Sequence, residues 1–297
     1  MQRRFITLDV FTDTLLAGNP LAVVLDAEGL DTERMQAVAK EFNLSETVFV
    51  TPPADDRHRA ALRIFTPSHE LPFAGHPTVG TAVLLALMDR AGEAGAVLFG
   101  LEEKVGVISC AVEVTGEGRG RARFRLPRLP EPWGEGVDPA RAAAALGLEP
   151  HEIGFERHRP SRHSAGVPYD LVPVADLDAL ARVRVSGDTF FATFGDSTHP
   201  SVYAYTREGH GFRSRMFFPA PGLTEDPATG SAAASFAGAL MQFEPLGIGE
   251  HDILIRQGVE MGRPSEIALQ LTIENGRLVG AEIGGGAVVV SRGELLL

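Results

Sequence analysis

Two similar glycine-containing segments, one in each half of the chain, constrain this fold more than any other feature. The first reads Phe73-Ala74-Gly75-His76-Pro77-Thr78-Val79-Gly80-Thr81-Ala82 and runs into an apolar stretch over 83–88. The second reads Glu225-Asp226-Pro227-Ala228-Thr229-Gly230-Ser231-Ala232-Ala233-Ala234 and runs into 235–241. Each follows an aromatic and a proline, Phe65-Thr66-Pro67 and Phe217-Phe218-Pro219. Each reads as a loop feeding the start of a buried helix. Setting Gly75 against Ala228 and Thr78 against Ser231 gives a constant offset of 153, the sign of a duplicated unit. A helix start carries unpaired backbone N–H groups and a positive partial charge, so it attracts carboxylates. Two such starts suit one small anionic substrate held between two domains.

The rest of the chain reads mainly as strands. They are expected over 5–11, 21–25, 47–50, 60–65, 97–101 and 105–114. The pattern then begins again, with strands over 122–126, 169–173, 190–194, 201–206, 212–218, 253–257, 266–273 and 277–283. Asp31-Thr32-Glu33 opens a helix with Met35, Val38, Ala39 and Phe42 on one face. Shorter helices are expected over 140–146 and 175–181. Strands cluster with few helices between them, which predicts an α+β fold with largely antiparallel sheets. The segment 127–139, rich in proline and glycine, reads as a linker or a long loop. Gly284-Gly285-Gly286 reads as a crossover that releases a last strand over 287–291.

The chain of 297 residues is long enough for two domains of ordinary size. Its formal charge of −12 argues against a nucleic-acid or acidic-membrane partner, because phosphate binding needs a basic surface. One basic run, Arg157-His158-Arg159-Pro160-Ser161-Arg162-His163, goes against this trend and reads as a solvated loop, with an anion-binding patch as the alternative. The only cysteine, Cys110, excludes an intrachain disulfide and reads as a buried structural thiol on a strand, with a nucleophile as the alternative. The N-terminal strand follows Arg3-Arg4 too closely, and turns charged too soon, for a signal peptide. No uncharged run is long enough to span a bilayer, so a cytoplasmic protein is expected.

Three side chains stand out for chemistry. Glu46, in Asn43-Leu44-Ser45-Glu46-Thr47, lies between a helix end and a strand start. Position alone leaves it open between a surface turn glutamate and a proton acceptor and donor in a cleft. His76 precedes Pro77, which suggests an N-cap, and its ring either packs there or donates to a substrate. Asp226 precedes Pro227 and also reads as an N-cap, facing whatever the helix mouth binds. Gly230 and Ser231 offer a backbone and a hydroxyl donor, or merely allow close packing. No dinucleotide fingerprint, nucleophile elbow or zinc spacing occurs, so no cofactor and no metal are expected.

Gly18-Asn19-Pro20-Leu21-Ala22-Val23, Asn43-Leu44-Ser45-Glu46-Thr47, Ala74-Gly75-His76-Pro77-Thr78 and Asp226-Pro227-Ala228-Thr229-Gly230-Ser231-Ala232, in this order, resemble the PhzF family of phenazine biosynthesis proteins. The resemblance implies the diaminopimelate epimerase-like fold: two similar domains, each a curled, mostly antiparallel sheet around a central helix. The domains are expected over 1–118 plus 287–297 and over 119–286. It also implies a homodimer and a cofactor-free isomerase, in the best-known case acting on trans-2,3-dihydro-3-hydroxyanthranilate. Carried onto this sequence, Glu46 is the general base and acid, assisted by His76 and Asp226. Ser45, Gly75, His76, Asp226, Gly230 and Ser231 hold the substrate. A non-catalytic binding protein on the same scaffold is the alternative. Epimerases and racemases of this fold use two cysteines, one at each helix mouth. The matching places here are expected at Ala74 and Pro227, and a single thiol cannot supply that pair.

Overall fold

The computed structural model describes residues 2–195, 200–220 and 223–297. It divides into two compact units, residues 1–127 with 284–297 and residues 128–283. β8, which runs to Arg125, lies wholly in the first unit.

The first unit contains β1 (Gln2–Val10), β2 (Asn19–Val24), α1 (Thr32–Phe42), β3 (Glu46–Thr51), β4 (Ala60–Phe65), β5 (Glu70–Leu71), α2 (Gly75–Asp89), β6 (Gly95–Glu103), β7 (Gly106–Gly116) and β8 (Arg119–Arg125). β1 pairs antiparallel with β2, β2 parallel with β3, β3 antiparallel with β4, and β4 parallel with β6. β6–β7 and β7–β8 are antiparallel. The final strand of the chain, β17 (Arg277–Leu296), pairs with both β1 and β8 and closes the ring into a barrel. Alternation explains why these segments are strands. On β7, Ile108, Cys110, Val112 and Val114 are buried; on β8, Ala122 and Phe124 point inward while Arg121, Arg123 and Arg125 are exposed.

α2 fills this barrel. Every residue from Gly75 to Leu87 is buried, so the helix is apolar all round, as a core helix must be. Gly80 permits the fit: a Cβ there would come within 2.7 Å of the Leu21 and Val10 side chains. α1 packs outside through Met35, Val38 and Ala39, with Asp31 accepting from the Arg34 amide at its start. It ends at Asn43, which takes the left-handed conformation (φ 51°) and returns its N–H to Ala39. That stop turns the chain directly into β3, whose first residue is Glu46.

The second unit repeats this plan. It contains β9 (Glu131–Pro132), α3 (Pro139–Leu146), β10 (Ser161–Ser164), β11 (Pro168–Pro173), α4 (Leu177–Arg182), α5 (Gly187–Phe194), β12 (Val202–Glu208), β13 (Gly211–Ala220), β14 (Leu223–Asp226), α6 (Gly230–Phe243), β15 (Gly249–Gln257), β16 (Ser265–Glu274) and the start of β17. From β10 onward the pairings run antiparallel, parallel, antiparallel, parallel, antiparallel, in the order found from β1. β14 folds back on β13 just before α6, as β5 folds back on β4 just before α2. The duplicated pattern is thus a duplicated topology. The helices start at Gly75 and Gly230, so the structural offset is 155 rather than 153. The loops before the two helices are both three residues long, 72–74 and 227–229, so the offset of 155 already holds at the strand ends.

Several expectations are corrected here. Residues 190–194 form the end of helix α5, not a strand: Phe190, Thr193 and Phe194 are buried at helical spacing while Phe191 is half exposed. Gly284-Gly285-Gly286 is where the chain passes from the second unit back to the first, as expected, but it releases no separate strand: β17 runs through it for 20 residues. These glycines serve close approach, since a Cβ at Gly284 would meet the Arg123 Cβ at 2.9 Å and one at Gly286 the Thr12 carbonyl oxygen at 2.7 Å. The basic run 157–163 is only partly a solvated loop. His158 is buried, bonded to the Tyr205 hydroxyl (3.0 Å) and the Glu244 carboxylate (2.8 Å), and Arg162 pairs with buried Asp170. Cys110 is buried, and its surroundings push the thiol up to about 12, through burial and then the nearby Glu103. Among the described residues, no helix is long and apolar enough to cross a membrane.

Candidate active site

The first helix mouth gathers Glu46 and His76. Ala74, not His76, is the N-cap of α2; it has extended backbone and Gly75 is the first helical residue. His76 is therefore the second residue of the helix, and Pro77 the third. Proline is tolerated there because first-turn N–H groups lack intrahelical partners. The His76 ring lies 5 % exposed, and burial lowers its pKa to about 3. The imidazole is neutral at physiological pH.

Glu46 opens β3 opposite Leu21 of β2, in the parallel pair. Its Oε2 lies 3.3 Å from His76 Nε2. With His76 neutral, this contact is not a salt bridge. It sets an uncharged imidazole beside a carboxyl group, close but without hydrogen-bond geometry between them. Ser45 precedes Glu46 and is half-buried.

The second helix mouth is built differently. Asp226 is the last residue of β14, and Thr229 is the N-cap of α6. The expectation of Asp226 as N-cap is corrected: the helix starts at Gly230, and Asp226 instead accepts from the Thr229 hydroxyl (2.5 Å) through Oδ2. Gln257, fully buried at the end of β15, ties this loop together. Its Nε2 donates to the Asp226 carbonyl (2.8 Å) and to Thr229 Oγ1 (3.0 Å), and its Oε1 accepts the Thr229 N–H (3.1 Å). Gly230 is buried at the first helical position. The Ser231 hydroxyl lies 2.7 Å from that of Tyr169 on β11.

Each unit therefore brings its own predicted residues together: Ser45, Glu46, Gly75 and His76 in the first, Asp226, Gly230 and Ser231 in the second. Sequence reasoning missed Gln257 and Tyr169. Both arrive from strands remote in sequence, and neither sits in a motif. The two helix starts pair Ala74 and Thr229 as N-caps. A two-cysteine mechanism stays excluded, because Cys110 is the only thiol.

Comparison with known proteins places this arrangement. The family described as phenazine biosynthesis-like protein matches residues 8–293. The chain belongs to this family. A relative named trans-2,3-dihydro-3-hydroxyanthranilate isomerase, from Pseudomonas aeruginosa, is 37% identical, with 99% of each chain covered. One named an uncharacterized isomerase, from Mesorhizobium japonicum, is 52% identical, again over 99% of each. Among solved structures, the Bacillus anthracis phenazine biosynthesis protein of the PhzF family covers both chains fully, with a TM-score of 0.87 and 26% identity. A hydroxyproline epimerase from Agrobacterium vitis shares the fold alone, with a TM-score of 0.65 at 13% identity, over 99% of this chain and 92% of its own. The chain is an enzyme, an isomerase of the PhzF family.

Proposed function

We propose that this isomerase moves a proton on a small, carboxylated, conjugated substrate without a cofactor, with Glu46 as the group that takes and returns it. The observation that carries this reading is the Glu46–His76 pair, a carboxyl group held 3.3 Å from an uncharged imidazole at a buried helix start. A carboxylate there removes a proton from carbon, and the electron pair moves into the conjugated system. The same carboxyl group then delivers the proton to a nearby carbon, so that nothing is gained or lost overall. His76, being neutral, donates a hydrogen bond without first having to give up a charge. Together with the first-turn N–H groups of α2, it faces negative charge as it develops.

Asp226, Gly230 and Ser231 are assigned to holding or assisting the substrate, and Ser45 and Gly75 to binding beside Glu46. Trans-2,3-dihydro-3-hydroxyanthranilate is the candidate substrate, chosen because it names the Pseudomonas aeruginosa relative. The reading includes a diaminopimelate epimerase-like fold, a cytoplasmic location and a homodimer, the last to be checked by light scattering.

The test is NMR of that compound in heavy water with wild type and Glu46→Gln. Deuterium incorporation and a new tautomer with wild type, reduced at least 100-fold in the variant, are expected for loss of a general acid–base group. Equal incorporation by the variant would reject Glu46 as the base. Ligand-dependent stabilisation without exchange would replace the enzyme reading by a binding one for this compound.

A further inference from the structure

Behind the first turn of α2 lies a carboxyl group that the proposed reaction does not use. Glu103, the last residue of β6, is 8 % exposed. Its Oε1 lies 2.7 Å from the Thr78 hydroxyl, which in turn lies 2.7 Å from the carbonyl oxygen of Ala74, the helix N-cap. Among the described residues, its Oε2 is buried without a hydrogen-bond partner.

A hydroxyl has one proton to give. If Glu103 were ionised, Thr78 Oγ1 would face two acceptors at equally short range with a single hydrogen between them. One of the two contacts would then be lone pair against lone pair, and Oε2 would carry charge with no donor. A carboxylic acid resolves both. Its O–H donates to Thr78 Oγ1, and the Thr78 O–H donates to Ala74. The surroundings agree. Thr78 on α2 bonds to it, and Cys110 on β7 lies within its electrostatic reach with its thiol kept protonated. The neighbouring Lys104 is turned to Glu70 (3.0 Å), and Glu102 to His58 (2.8 Å). Arg123 and Arg125 lie on the exposed face of β8. Burial correspondingly raises the Glu103 pKa to about 8, despite the Thr78 contact.

We propose that Glu103 is held as an uncharged acid whose O–H, relayed through Thr78, positions the first turn of α2, the turn that carries Gly75 and His76. It is a positioning residue. Its link to catalysis rests on the function proposed above; its protonation and its hold on the helix do not.

The experiment combines infrared spectroscopy with amide protection by NMR, on wild type and Glu103→Gln. The Gln side chain keeps an N–H donor for Thr78 and cannot ionise. Wild type is expected to show a non-ionised buried carboxyl band at pH 7 that disappears by pH 10 and is absent from the variant. Over the same range, protection of the Thr78 and Val79 amides should fall at least tenfold in wild type and hold in the variant. No such band at pH 7 would overturn the protonation, and an equal loss of protection in both proteins would overturn the positioning role. If the substrate is turned over, the alkaline limb of kcat/KM should flatten in Glu103→Gln. If it is not, the proposed function fails while the infrared and protection data still decide the case for Glu103.

Discussion

His76 and Glu103 flank the same helix start with opposite ionisation problems, and together they predict the shape of the stability–pH curve. Burial lowers the His76 pKa from 6.5 to about 3, so over that interval the unfolded chain binds a proton that the folded one refuses. Stability from His76 is full above pH 6.5 and is lost as pH falls toward 3. Glu103 is raised from 4.5 to about 8, so over that interval the folded chain keeps a proton that the unfolded one gives up. Its contribution is full below 4.5 and is lost as pH rises toward 8. Each slope is about 1.4 kcal/mol per pH unit. Between pH 4.5 and 6.5 the contributions of these two groups cancel. From 6.5 to 8 Glu103 acts alone and removes about 2 kcal/mol; from 4.5 down to 3 His76 does the same. Urea unfolding at half-unit pH steps, on wild type, Glu103→Gln and His76→Gln, isolates the two groups from the rest of the protein. Glu103→Gln should abolish the fall between 6.5 and 8 relative to wild type, and His76→Gln the fall below 4.5. Parallel curves for wild type and Glu103→Gln across pH 5–8 would refute the reasoning, since they require Glu103 to titrate alike in both states.

Three other outcomes are expected. Gln257→Ala strips three hydrogen bonds from the loop before α6 and strands a buried Thr229 N–H; it should cost about 3 kcal/mol by denaturant unfolding. Gly80→Ala drives a Cβ to 2.7 Å from Leu21 and Val10 inside the barrel and should cost about 1–3 kcal/mol, read as a lowered Tm. Cys110, 2 % exposed with its thiol pushed up to about 12, should resist a thiol reagent at pH 8 and react only at the rate of unfolding.

How much of this was legible depends on where each signal lives. The glycine loops and apolar helices are local patterns, so α2, α6 and the repeat could be read directly. The helix starts could not be placed to the residue, because the Pro77 and Pro227 cues favour the first helical position, and tertiary context put Pro77 at the third position and Pro227 outside α6 altogether. Helix α5 was misread because Phe190-Phe191 invites a strand; the spacing of Phe190, Thr193 and Phe194 held the correct signal but was outweighed. The run 157–163 looked solvated because its charges were visible and its partners Tyr205, Glu244 and Asp170 were not. Glu46 and His76 were found through motifs, yet their 3.3 Å approach depends on β2, β3 and α2 meeting in one barrel. Gln257, Tyr169 and Glu103 act entirely across such long-range contacts. No pattern in their own neighbourhoods marks them.

The closing strand of the barrel has a consequence for how the protein is made. Residues 287–296 of β17 pair with β1, yet the ribosome adds them only after the whole second unit has been synthesised. Until then, β1 and β8 are open edges of an unfinished cylinder, the kind of surface that recruits strands from other chains. The usual order, in which the earlier domain folds first, is not open to this chain: the first unit cannot close ahead of the second. A fragment cut after Pro127 should therefore aggregate, and supplying residues 284–297 as a peptide should restore a soluble, closed barrel.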